Sequence, residues 1–208
     1  MTNTQFGFNV TAPTSGTLAY GCSVKFTVPT GIDTISGKAG AGGWCTAGNL
    51  LVFSGTGQSG NYLECSITYA NGCSGCPATA GWYFWYGYNG VGSWSALGTS
   101  PVGDVVTLDI QWNGSQFQAS LTDASHSGNN KSVGFGVGTP AQFNFQSGNV
   151  WFENGGDTTC ADYSGFNSLP FTNLTYYSST GSTITFTYTK TTHVLNNPNG
   201  CTPTVTLT

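Results

Sequence analysis

No stretch of this 208-residue chain keeps the 3.6-residue apolar period of an amphipathic helix. Short runs of β-formers recur instead, each closed by a turn rich in glycine, serine or asparagine, and this pattern restricts the chain to an all-β sandwich or barrel. Strands are predicted near residues 5–10, 18–28, 50–54, 61–69, 81–88, 104–112, 115–122, 132–136, 149–153, 171–177, 183–190 and 203–207. The clearest hairpin runs from Val105–Trp112 through Asn113-Gly114 to Ser115–Leu121, with Asn-Gly supplying the two positive-φ residues of a type I′ turn. Along Asn61–Tyr69, the apolar Leu63, Cys65, Ile67 and Tyr69 alternate with Glu64, Ser66 and Thr68, so Glu64 points away from the large apolar groups. Neither a linker nor an internal repeat interrupts the chain, and a single domain over 1–208 is expected.

The segment "GWYFWYGYNG" (81–90) carries aromatics at both parities. If Trp82, Phe84, Tyr86 and Tyr88 pack inward, Tyr83 and Trp85 face the other surface, or the reverse. Such a strand is either buried on both sides or lines a ligand groove on one. Candidate groove residues are therefore Trp44, Trp82, Tyr83, Trp85, Tyr86 and Tyr88.

Charged residues make up 6% of the chain: four lysines, no arginine and eight acids, for a net charge of −4. Scattered lysines without arginine exclude a nucleic-acid partner. Few carboxylates are available to be protonated, so tolerance of acid is expected. Aromatics at 14% rule out disorder as the reason for the low charge.

Seven cysteines are present: Cys22, Cys45, Cys65, Cys73, Cys76, Cys160 and Cys201. Cys73-Ser-Gly-Cys76 has the spacing of half a zinc ribbon, but no second pair completes four ligands, and no metal or cofactor is expected. Two or three disulfides in an exported protein are expected instead, which places the chain outside the cell or at its surface. Sequons begin at Asn9, Asn113, Asn130 and Asn173. The longest apolar runs are strand length, and none reads as a signal peptide or membrane-spanning helix.

Several segments, taken in order, resemble the glutamic peptidases (eqolisins), acid-active secreted endopeptidases built on a lectin-like β-sandwich. Phe26-Thr27-Val28-Pro29 is similar to the family's "TVPS" strand, and Leu51-Val52-Phe53-Ser54-Gly55 to its Leu-Ile-Gln-Thr-Gly segment. Tyr83–Gly90 resembles "YAWYEWYP", Ser100–Thr107 resembles "SPGDTVT", and Ser147–Glu153 resembles "SAEWIVE". The resemblance implies a two-sheet antiparallel sandwich of the concanavalin or jelly-roll kind. It also implies a dyad in which a glutamate activates water and a glutamine amide stabilises the oxyanion. Those two positions fall on Asn149 and Phe53, neither of which can do that chemistry. Glu153, four positions beyond Asn149, is the fallback base, and Gln58 a substitute amide.

The expectation is therefore a non-catalytic extracellular module that binds a polypeptide, a glycan or copies of itself as a surface, filament or virion component. The alternatives are an acid endopeptidase using Glu153 and a sugar-binding or glycan-hydrolysing jelly roll. The C-terminal "CTPTVTLT" (201–208) reads as an end strand that pairs in its own sheet or on another subunit's edge. His126 and His193 read as solvated loop histidines without partners, and Asp104 as a carboxylate capping turn amides. Asp157 and Asp162 flank Cys160 without a calcium-ligand pattern.

Overall fold

The computed structural model describes residues 3–11, 19–30, 44–54, 60–137, 143, 147–155, 168–185, 188–195 and 204–207. They form two antiparallel-dominated sheets. The first is ordered β13 (Thr189–Leu195), β1 (Asn3–Thr11), β10 (Ser147–Gly155), β3 (Trp44–Phe53), β4 (Tyr62–Ala70), β5 (Gly81–Tyr88), β6 (Val91–Ala96). The second is ordered β12 (Thr183–Ile184), β11 (Ser168–Tyr177), β2 (Gly21–Thr27), β7 (Val105–Trp112), β8 (Phe117–Asp123), β9 (Lys131–Gly134). The C-terminal strand β14 (Thr204–Leu207) pairs in parallel with β11 of its own chain. No helix among the described residues is long and apolar enough to cross a membrane.

One core fills the space between the sheets. Period-2 alternation delivers Leu50, Val52, Leu63, Cys65, Ile67, Trp82 and Phe84 from the first sheet. Val24, Phe26, Val106, Leu108, Ile110, Phe117 and Leu121 come from the second. Along β3 the register shifts against both neighbours between Thr46 and Asn49, which marks a bulge. Gly48 sits at that bulge because the Phe26 ring lies over it, and a Cβ there would come within 2.3 Å of Phe26 Cζ. The bulge keeps Cys45, Ala47, Leu50 and Val52 in the core while Thr46, Asn49 and Leu51 take the opposite face.

The predicted hairpin between β7 and β8 forms, but its turn differs. Trp112 pairs with Phe117, leaving a four-residue connection in which Asn113 Oδ1 accepts the backbone N–H groups of Ser115 and Gln116. That is an Asx-type turn, since only Gly114 of the central pair has positive φ. The Asn-Gly turn with both residues at positive φ is Asn89-Gly90, joining β5 to a strand, β6, that the sequence reading did not include.

Candidate functional site

The outward face of the first sheet carries a groove of about 370 Å³, within the range of small-ligand sites. Its floor is β3 and β4, and its walls are β5, β6 and the loop between β4 and β5. Thr46, Asn49, Tyr62, Glu64, Ser66 and Thr68 supply the polar floor, and Trp85 and Trp94 the aromatic wall. The alternation that sends Leu63, Cys65 and Ile67 into the core puts Glu64, Ser66 and Thr68 here.

Two features give the floor chemical character. Asn49 Nδ2 donates a hydrogen bond to Glu64 Oε1, joining a carboxamide and the groove's carboxylate across adjacent strands. Beside them the Thr46 and Thr68 hydroxyls meet at 2.9 Å, and those of Ser66 and Thr68 at 3.0 Å. Asn49 is buried, and its Oδ1 accepts no hydrogen bond from the described residues. A buried carbonyl oxygen left in this way calls for a water or a ligand donor. Asn9 Oδ1, on β1 beyond β10, is a second buried acceptor without a partner among the described residues.

The wall is held by a short cross-link. Cys73 and Cys76 form a disulfide, and the loop it closes offers the Gly75 carbonyl to Trp94 Nε1 at 3.0 Å. Trp94 meets Trp85 edge-on at 6.3 Å and Tyr83 at 5.9 Å between ring centroids. Tyr83 in turn donates its hydroxyl to the Thr79 carbonyl.

The sequence-derived candidates divide accordingly. Trp85 lines the groove, and Tyr83 lies buried on the same side, under the disulfide loop. Trp82, Tyr86 and Tyr88 do not line it: they share the parity of Phe84 and pack into or against the core. Phe53 is buried against Tyr62 and Leu51. Gln58 and the side chains of Trp44, Asn149 and Glu153 lie outside the described residues. The backbone register pairs position 149 with Leu51, 151 with Asn49 and 153 with Thr46, the residues that β3 presents to this face. Asn49 and Trp94 are not among the sequence-derived candidates, because the predicted strand 50–54 starts after Asn49 and no strand is predicted over 91–96. The Asn89-Gly90 turn signal directly after the aromatic run of β5 is what the sequence offers for placing Trp94 on a returning strand.

Expectations for the minor candidates are corrected. His126 is not without partners: its Nδ1 lies 2.6 Å from Asp104 Oδ2 and 3.9 Å from Asp123 Oδ2. The hydrogen bond and charge of Asp104 hold the imidazole pKa above its ordinary value. Asp104 spends that oxygen on the histidine, and Asp123 is the carboxylate that caps turn amides, accepting from Ser125 and His126 N–H. Burial alone would raise the Asp123 pKa, but those bonds and one from Asn129 overcome it and hold the carboxyl low. The described residues contain one of the expected disulfides, Cys73–Cys76; Cys160 and Cys201 lie outside them. Cys22, Cys45 and Cys65 are buried free thiols whose pKa values burial pushes well up, so they are inert. Asp157, Cys160, Asp162 and Cys201, and the His193 side chain, lie outside the described residues.

No family profile and no curated protein matches the sequence. Solved structures do match. Scytalido-glutamic peptidase bound to a transition state analog inhibitor aligns over 96% of this chain and 92% of its own, with a TM-score of 0.54 and 14% identity. The fold is shared with the glutamic peptidases. SCP-B, an eqolisin-family peptidase in complex with the tripeptide Ala-Ile-His, aligns over the same shares with a TM-score of 0.51 and 12% identity. A toad ovary galectin in complex with thio-digalactose covers 88% of this chain and 98% of its own at a TM-score of 0.38 and 9% identity.

Proposed function

We propose that the groove takes an extended polypeptide and that Glu64 acts there as the general base of a peptide hydrolase. The observation that carries this reading is the Asn49–Glu64 contact on the groove floor. A hydrogen bond from a neutral amide orients the carboxylate without neutralising its charge, so Glu64 keeps the basicity that proton transfer from water needs. Glu64 takes a proton as the water oxygen attacks the peptide carbonyl, and returns it to the amine nitrogen as the C–N bond breaks. Asn49, buried beneath, is a positioning residue. Tyr62 and Trp85, both in the lining, carry neutral donor groups of the kind that a developing oxyanion requires. The shared fold with peptidases supports the reading, and the resemblance-based positions Phe53 and Asn149 play no part in it.

Glycan hydrolysis fits less well, because it needs two carboxylates and Glu64 is the one acid among the described lining residues. Phe53 and Asn149 favour a second reading, in which the same groove binds a chain without cutting it. The disulfide in the wall supports a site of action outside the cell in either case.

Incubation with denatured casein between pH 2 and 5, with soluble glycans in parallel, separates these readings. New casein peptides are the expected result. Binding without cleavage would move the groove to the second reading, and release of sugars would discard both.

A further inference from the structure

We propose that the edge of β6 is an interface for a second copy of this chain, joining two first sheets into one through antiparallel β6–β6 pairing. This goes beyond the groove's chemistry and does not depend on it.

A strand at the end of a sheet exposes unpaired N–H and C=O groups, and folded proteins normally guard such edges with lysine, proline, bulges or very short strands. The other terminal strands here are guarded. β9 is four residues long and begins with Lys131, and β12 has two residues. β13 carries Lys190, whose Nζ donates to the Leu207 carbonyl and so also covers the four-residue β14. β6 has none of these devices. Its six residues, Val91–Ala96, include no charge and no proline. Its register with β5 runs without a shift from Tyr88↔Val91 to Tyr83↔Ala96. Val91 is 81% exposed, and residues 65–103 contain no Asp, Glu, Lys, Arg or His to repel a neighbour.

The occupant follows from that contrast. Because β6 is the one unguarded terminal strand among the described residues, the matching edge on another copy is β6 itself. Pairing like with like about a two-fold axis closes at a dimer, whereas pairing to a different edge would run on into a fibre. The axis stands normal to the sheet, so both groove faces stay on one side. The two Trp94 walls then meet, and the grooves join into a single trough.

Sedimentation velocity and light scattering across a concentration series test this. The expected species at high concentration has twice the 21.6 kDa chain mass and dissociates on dilution. The double variant Val91→Lys/Ser95→Lys, which puts like charges on both edges and leaves the groove lining intact, is expected to remain monomeric with an unchanged circular dichroism spectrum. Hydrogen exchange on the unmodified protein gives a second readout, with amides 91–96 slowing as concentration rises. A monomer at every concentration, a variant that dimerises as well as the parent, or concentration-dependent protection confined to other strands would overturn the proposal. Casein cleavage by the monomeric variant reports on the groove separately.

Discussion

Replacing Asp109 should change this protein's stability in a strongly pH-dependent way. It stands on the outward face of β7, with Ser23 and Ser120 as its ladder neighbours, and among the described residues no cation lies opposite it. Burial pushes its pKa from the ordinary 3.8 up to about 7. The sign follows from proton counting. Between pH 4 and 7 the unfolded chain has released this proton and the folded chain has kept it, so stability falls as pH rises. At roughly 1.4 kcal/mol per pH unit, the whole interval is worth about 4 kcal/mol, an upper figure for a side chain that keeps some contact with water. For a urea m-value of roughly 2 kcal/mol/M, that lowers the unfolding midpoint by about 2 M between pH 4 and 8. Asp109→Asn removes the penalty. Urea unfolding followed by tryptophan fluorescence should give equal midpoints for parent and variant near pH 3, and a more stable variant at pH 8. A parent midpoint that climbs from pH 4 to 8, or a variant with the parent's pH profile, would refute the reasoning.

Replacing Cys73 and Cys76 with serine should cost about 2 kcal/mol, the loop-closure entropy of a four-residue ring, and reductant should destabilise the parent but not the variant in urea melts. Gly48→Ala forces a methyl into the Phe26 ring and should cost about 1–3 kcal/mol; adding Phe26→Leu should recover part of the loss, and strictly additive effects would show that the two do not touch. His126→Ala should lower the melting temperature at pH 5, where the folded-state preference for the charged imidazole is fully present. The deficit should fade as pH rises through the raised pKa, and a deficit that grows with pH would contradict the Asp104 pairing.

Alternation made the sheets legible in the sequence, and it also fixed which side of each strand carries polar groups. Leu63 to Tyr69 gave the inward set of β4, and with it the outward direction of Glu64. Alternation cannot say which strands become neighbours. Glu64 gains its meaning from Asn49, fifteen residues earlier on an adjacent strand, and from Trp94 two strands away. The aromatic run of β5 left two parities open, and the packing of Trp82, Phe84, Tyr86 and Tyr88 chooses between them. β6 escaped notice because Val-Gly-Ser-Trp-Ser-Ala is poor in β-formers, and its pairing depends on the Asn89-Gly90 turn rather than on propensity. His126 looked isolated for a similar reason: Asp104 is distant in sequence, and the pairing of β7 with β8 brings the two together.

The central claim rests on Glu64. Casein digestion between pH 2 and 5, with products counted by mass spectrometry, should be run on the parent, Glu64→Gln and Glu153→Gln. Loss of a general base predicts that Glu64→Gln falls by about 10²-fold or more, with its fold intact and Glu153→Gln still active. Undiminished cleavage by Glu64→Gln, or loss confined to Glu153→Gln, would contradict the account.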